Sequence, residues 1–322
     1  MGTALVLVTH ADGAPDDASL QALTFARRFA AGGPVQAVLI GTGAAAAAPG
    51  VGAYGASTAH VAEHPALTSV APDAWASIVA GLAGRIGADA IVGPGSEDGN
   101  DVLARVAART GEPFAANCVA ATAGDPITLT RVRWGGSLLE EARLHASRAI
   151  VSLVPHALEA EATGGAAAVA PFTPELDASD LVVRVRERIG AATGGVSLAD
   201  ARVVISGGRG VGSTEGFAPI EELAGLLGAA VGCSRAVTIA GWRPHTDQVG
   251  QTGTKIAPDI YIACGISGAT QHMAGCKGAK RILAINADRE APIMLSADYA
   301  VIGDLHAVVP AISAEIRRVR GA

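Results

Sequence analysis

The residues of this 322-residue chain best suited to chemistry sit in short polar turns of its second part. Gly265-Ile266-Ser267-Gly268 leaves an apolar run and opens a helix. Backbone N–H groups there face outward at the positive end of a helix dipole, a setting that suits a pyrophosphate. Val249-Gly250-Gln251-Thr252-Gly253 places an amide and a hydroxyl between two flexible glycines, which favours close polar contact with a flat ligand. Arg209 stands between glycines with no helical neighbour to pair with, so a ligand role is favoured over a solvated charge. Arg235, just after Ser234, reads equally as a ligand cation or as half of a surface ion pair. His272 lies near a helix start, where a core or capping role is the simpler alternative to ligand contact. Asp304 reads most simply as the N-cap of a helix beginning at Leu305.

Standard nucleotide fingerprints are absent from these turns. A dinucleotide motif starting at Gly208 and Gly210 needs Gly or Ala at 213, where Ser213 stands; starting at Gly210 puts Glu215 in that place. Gly253 is followed by Thr254-Lys255, the reverse of a Walker loop. No carboxylate pair, Ser/His/Asp order or metal-spaced cluster appears among eight scattered His, so a hydrolase or metalloenzyme finds little support. The four Cys, at 118, 233, 264 and 276, form no CxxC pair and read as packing residues. A net charge of −6 and eleven aromatic residues argue against a nucleic-acid partner. No apolar run approaches the ~18–20 residues of a transmembrane segment. The first eight residues read as a strand rather than a signal peptide, and the expected location is cytoplasmic.

These turns must be held by an α/β framework. Half of the residues are hydrophobic and 41 are Gly, so aliphatic side chains fill the core and glycines allow close backbone approach. Ala4–Val8, Val35–Ile40 and Ala90–Val92 read as strands, alternating with helices over Ser19–Ala30, Ala74–Ile86 and Asp101–Arg109. Such alternation implies a mainly parallel sheet. Ile127–Thr130 and Ala149–Leu153 read as β-rich, with Gly135-Gly136 turning between them. Ala44–Ala48 and Ala162–Ala170 read as surface loops. The expected division is a first domain over 1–190, a linker over 191–200 and a second domain over 201–322.

In that second domain, strands are expected at Ala201–Ile205, Ala230–Val231, Asp259–Cys264, Arg281–Ile285 and Tyr299–Ile302, with a helix from Pro219. Each strand is followed by a polar turn, a doubly wound pattern whose ligands bind beyond the carboxyl ends of the strands. Charge divides with the domains: residues 1–200 hold 12 basic and 20 acidic side chains, residues 201–322 hold 12 and 10. The asymmetry suits an anionic ligand in the second part and reads equally as a chance split of surface charge.

Over nearly all of 201–322 the sequence resembles the alpha subunit of electron transfer flavoprotein. The matching strings are Ser206-Gly207-Gly208-Arg209-Gly210, Gly232-Cys233-Ser234-Arg235, Gln248-Val249-Gly250-Gln251-Thr252-Gly253 and Tyr261 through His272. They continue through Ala284-Ile285-Asn286, Ala291-Pro292-Ile293 and Ala297-Asp298-Tyr299 to Asp304-Leu305 and Val308-Val309-Pro310. The first 190 residues agree only in α/β pattern and length. The resemblance implies FAD in the second domain and a heterodimer with a beta subunit. It implies that Ser234, Ser267 and the helix start over Gly268–Gln271 hold the pyrophosphate, and that Asn286, Asp304 and Leu305 contact the adenosine end. Val249, Gly250, Gln251 and Thr252 would line the ribityl and flavin region, with the Thr252 hydroxyl near flavin N5. Arg235 would lie against the isoalloxazine, His272 would approach its O2 edge and Arg209 would cover it. The implied function is a redox carrier rather than an enzyme, without catalytic residues. It would accept electrons from acyl-CoA dehydrogenases or related flavoenzymes and pass them to electron transfer flavoprotein-quinone oxidoreductase. The chain departs from the family pattern at Thr254-Lys255, Thr270, Asp288-Arg289 and Met294, and the first of these leaves the backbone path open. Two competing readings are a nicotinamide-binding oxidoreductase module and, for residues 1–190, an adenine-nucleotide-binding regulatory module.

Overall fold

The chain is described by a computed structural model over residues 2–136, 138–185, 197–199 and 201–321. The linker expected over 191–200, with Gly190–Gly195 as the candidate hinge between the domains, lies outside the described residues except at 197–199. Two compact units emerge, Met1–Arg188 and Ile189–Ala322.

The first unit holds strands β1 (Ala4–Val8), β2 (Val35–Ile40), β3 (Thr58–Ala62), β4 (Ala90–Pro94), β5 (Phe114–Thr122), β6 (Ile127–Arg133), β7 (Leu138–Leu144), β8 (Ala149–Leu153) and β9 (Ala168–Phe172). They form one sheet in the order β9-β3-β2-β1-β4-β8-β5-β6-β7, parallel except where β6 pairs antiparallel with β5 and β7. The central strands are fully buried on both faces, which is why β1 reads as an unbroken apolar run. Helices α1 (Asp17–Ala30), α2 (Ala44–Ala47), α3 (Pro72–Arg85) and α4 (Glu97–Thr110) accompany the sheet. The Asp16 carboxylate caps α1 by accepting from the Ser19 N–H at 2.8 Å, which fixes where that helix starts.

Three expectations for this unit need correction. Ala44–Ala48 is not a surface loop: α2 occupies Ala44–Ala47, and Ala44, Ala47 and Ala48 are buried. Alanine is the best helix former and small enough to bring a short helix against the core. Ala162–Ala170 is not wholly a loop either, because Ala168–Phe172 forms the edge strand β9, parallel to β3. Gly135-Gly136 belongs to the turn between β6 and β7, not between Ile127–Thr130 and Ala149–Leu153. Sequence reading missed β7 because Leu138-Leu139-Glu140-Glu141-Ala142-Arg143-Leu144 is made of helix formers, and cross-strand pairing overrides that preference.

The second unit is simpler. Strands β10 (Val203–Gly207), β11 (Ala230–Cys233), β12 (Ile260–Cys264), β13 (Ile282–Asn286) and β14 (Tyr299–Ile302) form an all-parallel sheet in the order β11-β10-β12-β13-β14. Numbered from its own first strand, this is the doubly wound order 2-1-3-4-5, whose ligand crevice lies where the order reverses, between β10 and β12. Helices α5 (Ala218–Leu227), α6 (Arg235–Ile239), α7 (Thr270–Cys276) and α8 (Leu305–Arg320) follow strands in turn. Two buried clusters flank the sheet, one around Tyr261, Ile266 and Ile293, the other around Phe217, Leu223, Ile262 and Val309. The first strand begins two residues later than expected and takes in Ser206 and Gly207, so the following turn starts at Gly208.

Among the described residues, no helix is long and apolar enough to cross a membrane. Among them, too, no group of three or more His, Cys, Asp or Glu could hold a metal ion.

Candidate functional site

The reversal point is built by close backbone contact. A Cβ on Gly208 would lie 2.2 Å from the Gly265 carbonyl oxygen, and one on Gly210 would lie 2.8 Å from the Gly265 Cα. Only glycine lets these two turns meet, and the Gly208 N–H donates to the Cys264 carbonyl at 2.8 Å across the junction. Arg209 projects from this turn, exposed, and makes no ion pair among the described residues.

Beside it opens a cleft of about 230 Å³ at the carboxyl ends of β11 and β12. Its walls include Ser234, Arg235, Val249, Gly250, Gln251, Thr252, Ser267, Ala269, Gln271 and His272. These expected site residues, spread over 39 positions of sequence, therefore converge. The two main walls are stitched together: the Gln251 N–H donates to the Gln271 carbonyl at 2.8 Å. Their approach depends on Gly275, where a Cβ would fall 2.3 Å from the Gly250 nitrogen. The path through Thr254-Lys255 is settled as well, since Thr254 N–H donates to Gln248 O at 2.7 Å and closes the turn.

Charge and hydrogen-bonding capacity in the cleft are left open rather than consumed. Arg235 is exposed at the start of α6 and takes part in no ion pair among the described residues, which favours the ligand-cation reading over the surface pair. His272 is only 7% exposed. Its Nε2 lies 2.8 Å from the Tyr261 hydroxyl, while Nδ1 is buried without a hydrogen-bond partner of normal geometry. Burial pulls its pKa down to about 4, with the Val249 carbonyl weakly opposing. The ring is therefore neutral at pH 7.

Six expected residues do not line this cleft. Arg209 stands at the neighbouring turn. Gly268 (φ +83°) packs so closely that a Cβ would sit 2.5 Å from the Ile293 nitrogen. Thr270 begins α7. Asn286 is tied to the loop, donating from Nδ2 to Ile266 O at 3.0 Å and accepting from Asp288 N–H at 3.0 Å. Asp304 caps α8 by accepting from His306 N–H at 2.9 Å, as its position predicts. Leu305 is buried in the core, leaving only its backbone for a ligand.

Sequence reading overlooked Gln248. Its amide, 1% exposed, bridges two hydroxyls: Oε1 lies 2.8 Å from Thr238 Oγ1, and Nε2 donates to Thr252 Oγ1 at 3.0 Å. Cys233, Cys264 and Cys276 are buried with thiols pushed up to about 12 by desolvation, consistent with packing. Larger hollows exist in the first unit, one of about 720 Å³ along β5–β7 and one of about 430 Å³ near His10 and Thr42. The larger is a shallow sheet surface without glycine turns, so we place the site in the smaller but convergent cleft.

Comparison with known proteins agrees with this placement. Residues 197–277 match the electron transfer flavoprotein FAD-binding domain, and residues 4–178 match the electron transfer flavoprotein domain. The chain is 34% identical to electron transfer flavoprotein subunit alpha of Bacillus subtilis (strain 168), over 98% of this chain and 97% of that protein. With the same subunit of Mycobacterium tuberculosis (strain ATCC 25618 / H37Rv) it is 38% identical over the full length of both. Protein FixB of Clostridium saccharobutylicum is 37% identical over 83% of this chain and 81% of that protein.

The chain belongs to the electron transfer flavoprotein alpha-subunit family.

Its cofactor is accordingly FAD. The cleft fits that group: a guanidinium without an ion pair among the described residues, an exposed Thr252 hydroxyl and glycines at the points of closest approach suit a polar, anionic, flat ligand. Nothing in the fold or the comparisons favours the nicotinamide reading. The flavoprotein family places the chain among electron-transport proteins.

Proposed function

We propose that the chain is the FAD-carrying subunit of a heterodimer completed by a beta subunit. It accepts electrons from acyl-CoA dehydrogenases or related flavoenzymes and passes them to a membrane quinone oxidoreductase. It is a carrier rather than an enzyme. The observation that carries this reading is the convergence of Arg235, Thr252 and His272 on one cleft, where Arg235 makes no ion pair among the described residues.

Bound FAD supplies a ring that takes up and releases electrons. The chain's own residues would do the rest. Ser234, Ser267 and the backbone from Gly268 through Gln271 would hold the pyrophosphate, and Asn286, Asp304 and the Leu305 backbone the adenosine end. Val249, Gly250 and Gln251 form the wall against which the ribityl and ring would lie. Thr252, its hydroxyl oriented by Gln248, would meet the ring at N5. Arg235 would bring a fixed positive charge and His272 a neutral donor to the N1–O2 edge. Together they favour the reduced, anionic form of the ring and raise its potential. Arg209 would cover the ring from the neighbouring turn. No aromatic side chain is among the cleft residues, so tuning rests on these polar groups.

The test is co-expression with the beta subunit and a visible spectrum, followed by addition of a reduced acyl-CoA dehydrogenase. A yellow heterodimer that bleaches on mixing is expected. A colourless heterodimer that takes up no added FAD would contradict the proposal.

A further inference from the structure

Burying a primary amide, as at Gln248, costs free energy unless both of its ends find partners. A packing role needs no amide there, since Met fills similar space with an apolar side chain. Yet both ends are bonded. Oε1 lies 2.8 Å from Thr238 Oγ1 on α6, and Nε2 lies 3.0 Å from Thr252 Oγ1 on the cleft wall. The backbone of the same residue closes the turn that carries Thr252. Thr254 N–H donates to Gln248 O at 2.7 Å, and Gly253 N–H donates to Gly250 O at 3.2 Å. A Cβ on Gly253 would fall 2.2 Å from Gln248 O, so the turn folds tightly back onto Gln248. The main chain thus fixes where Thr252 stands, and the amide fixes which way its hydroxyl bonds.

That direction follows from what each atom can do. An amide nitrogen only donates, so Thr252 Oγ1 meets Nε2 with a lone pair. The single Thr252 proton is then left for an acceptor outside, and Thr252 is exposed on the cleft. The opposite sense of the amide would set Oε1 at Thr252 and draw that proton inward, leaving the cleft only a lone pair. Thr238 does not separate the two senses, because its hydroxyl also lies 2.9 Å from the Arg235 carbonyl, which takes a proton in either case. The ligand does separate them. N5 of oxidised FAD carries a lone pair, which bonds to a proton on Thr252 and is repelled by a second lone pair. The amide sense in the structure is the one that matches it.

We propose that Gln248 is a positioning residue: with Oε1 held toward Thr238, its amide donates to Thr252 Oγ1 and so keeps the Thr252 proton directed at N5 of FAD in the cleft. The proposal rests on the reading that Thr252 meets the flavin at N5. Without the amide, the Thr252 hydroxyl turns freely and offers its proton to the ring for only part of the time.

The test compares FAD with 5-deaza-FAD, which carries a C–H in place of N5 and accepts no hydrogen bond there. Each is titrated into the heterodimer stripped of flavin, for wild type and Gln248→Met. Wild type should bind FAD about tenfold more tightly than the deaza analogue, the worth of one hydrogen bond. In Gln248→Met that preference should fall by about threefold. A merely structural role weakens both ligands alike, so an unchanged preference in Gln248→Met overturns the proposal. A second reading needs no variant to fold: nuclear Overhauser contacts of the Gln248 side-chain amide protons in the wild-type, FAD-loaded heterodimer. They should reach the Thr252 methyl group rather than that of Thr238, and the reverse pattern overturns the proposal. The underlying reading fails separately: equal wild-type affinity for the two flavins contradicts a Thr252 contact at N5, whatever the sense of the amide.

Discussion

The two units end their strands in opposite ways. At the strand ends of the first unit, polar side chains satisfy one another. Thr9 Oγ1 donates to Asp16 Oδ2 at 2.5 Å, Ser152 Oγ donates to Asn100 Oδ1 at 2.6 Å, and Asn117 N–H donates to Ser152 Oγ at 2.8 Å. At the strand ends of the second unit, Arg209 and Arg235 make no ion pairs among the described residues. A parallel sheet places polar residues at its carboxyl edge in either case. What separates a ligand site from a structural network is whether those groups already have partners inside the chain.

That contrast can be broken where the cleft walls touch. Gly275→Val forces a side chain within 2.3 Å of the Gly250 nitrogen, where neither backbone can yield. We expect a destabilisation of roughly 4 kcal/mol and loss of FAD, measured by denaturant unfolding and flavin absorbance of the heterodimer.

Acid should act nearly as strongly on the apo-heterodimer. The folded pKa of His272 lies at about 4, below the ordinary 6.5, so the folded state binds this proton less readily than the unfolded chain. The associated stability is complete above pH 6.5 and is lost progressively down to pH 4, about 3 kcal/mol in all. Comparing urea unfolding of wild type and His272→Gln across that range isolates this contribution from carboxylates titrating nearby. A difference independent of pH would contradict it.

Ser152→Ala tests the other side of the comparison. It leaves the Asn117 N–H and the Asn100 amide without their buried partner, and should cost about 2 kcal/mol of stability while FAD content stays unchanged. The smallest effect is expected at the rim of the cleft. Arg235→Gln should fold normally and lower the FAD potential by about 30 mV, a tenfold weaker preference for the reduced form, read by equilibrium reduction against a dye.

The fold was legible wherever one physical rule dominated. Central parallel strands such as β1, β2 and β8 are buried on both faces, and their apolar runs gave their limits to the residue. The outer strands were not legible in the same way. β7 is written in helix formers, and only its hairpin pairing with β6 makes it a strand, while β9 lies in an alanine- and glycine-rich stretch and pairs with β3 far earlier in the chain. The ends of the second sheet were legible from glycine placement, and the cleft gathers most of the turns singled out there. The supporting layer was not. Gln248 and Tyr261 look like ordinary strand-end and strand residues until folding sets an amide beside Thr252 and a hydroxyl beside His272. Asn286 and Asp304 show the converse, since their side chains serve the loop and the helix cap.

Among the described residues, Arg209 and Arg235 make no ion pair at the strand ends of the second unit while Thr9, Asn100, Asn117 and Ser152 of the first satisfy one another, and FAD affinity should follow that difference. It is tested most directly by titrating FAD into the stripped heterodimer for wild type, Ser152→Ala and the double variant Arg235→Gln/Thr252→Val, followed by flavin fluorescence. FAD affinity unchanged in Ser152→Ala and at least tenfold weaker in the double variant is the expected result. Equal loss in both, or none in the double variant, would contradict the account.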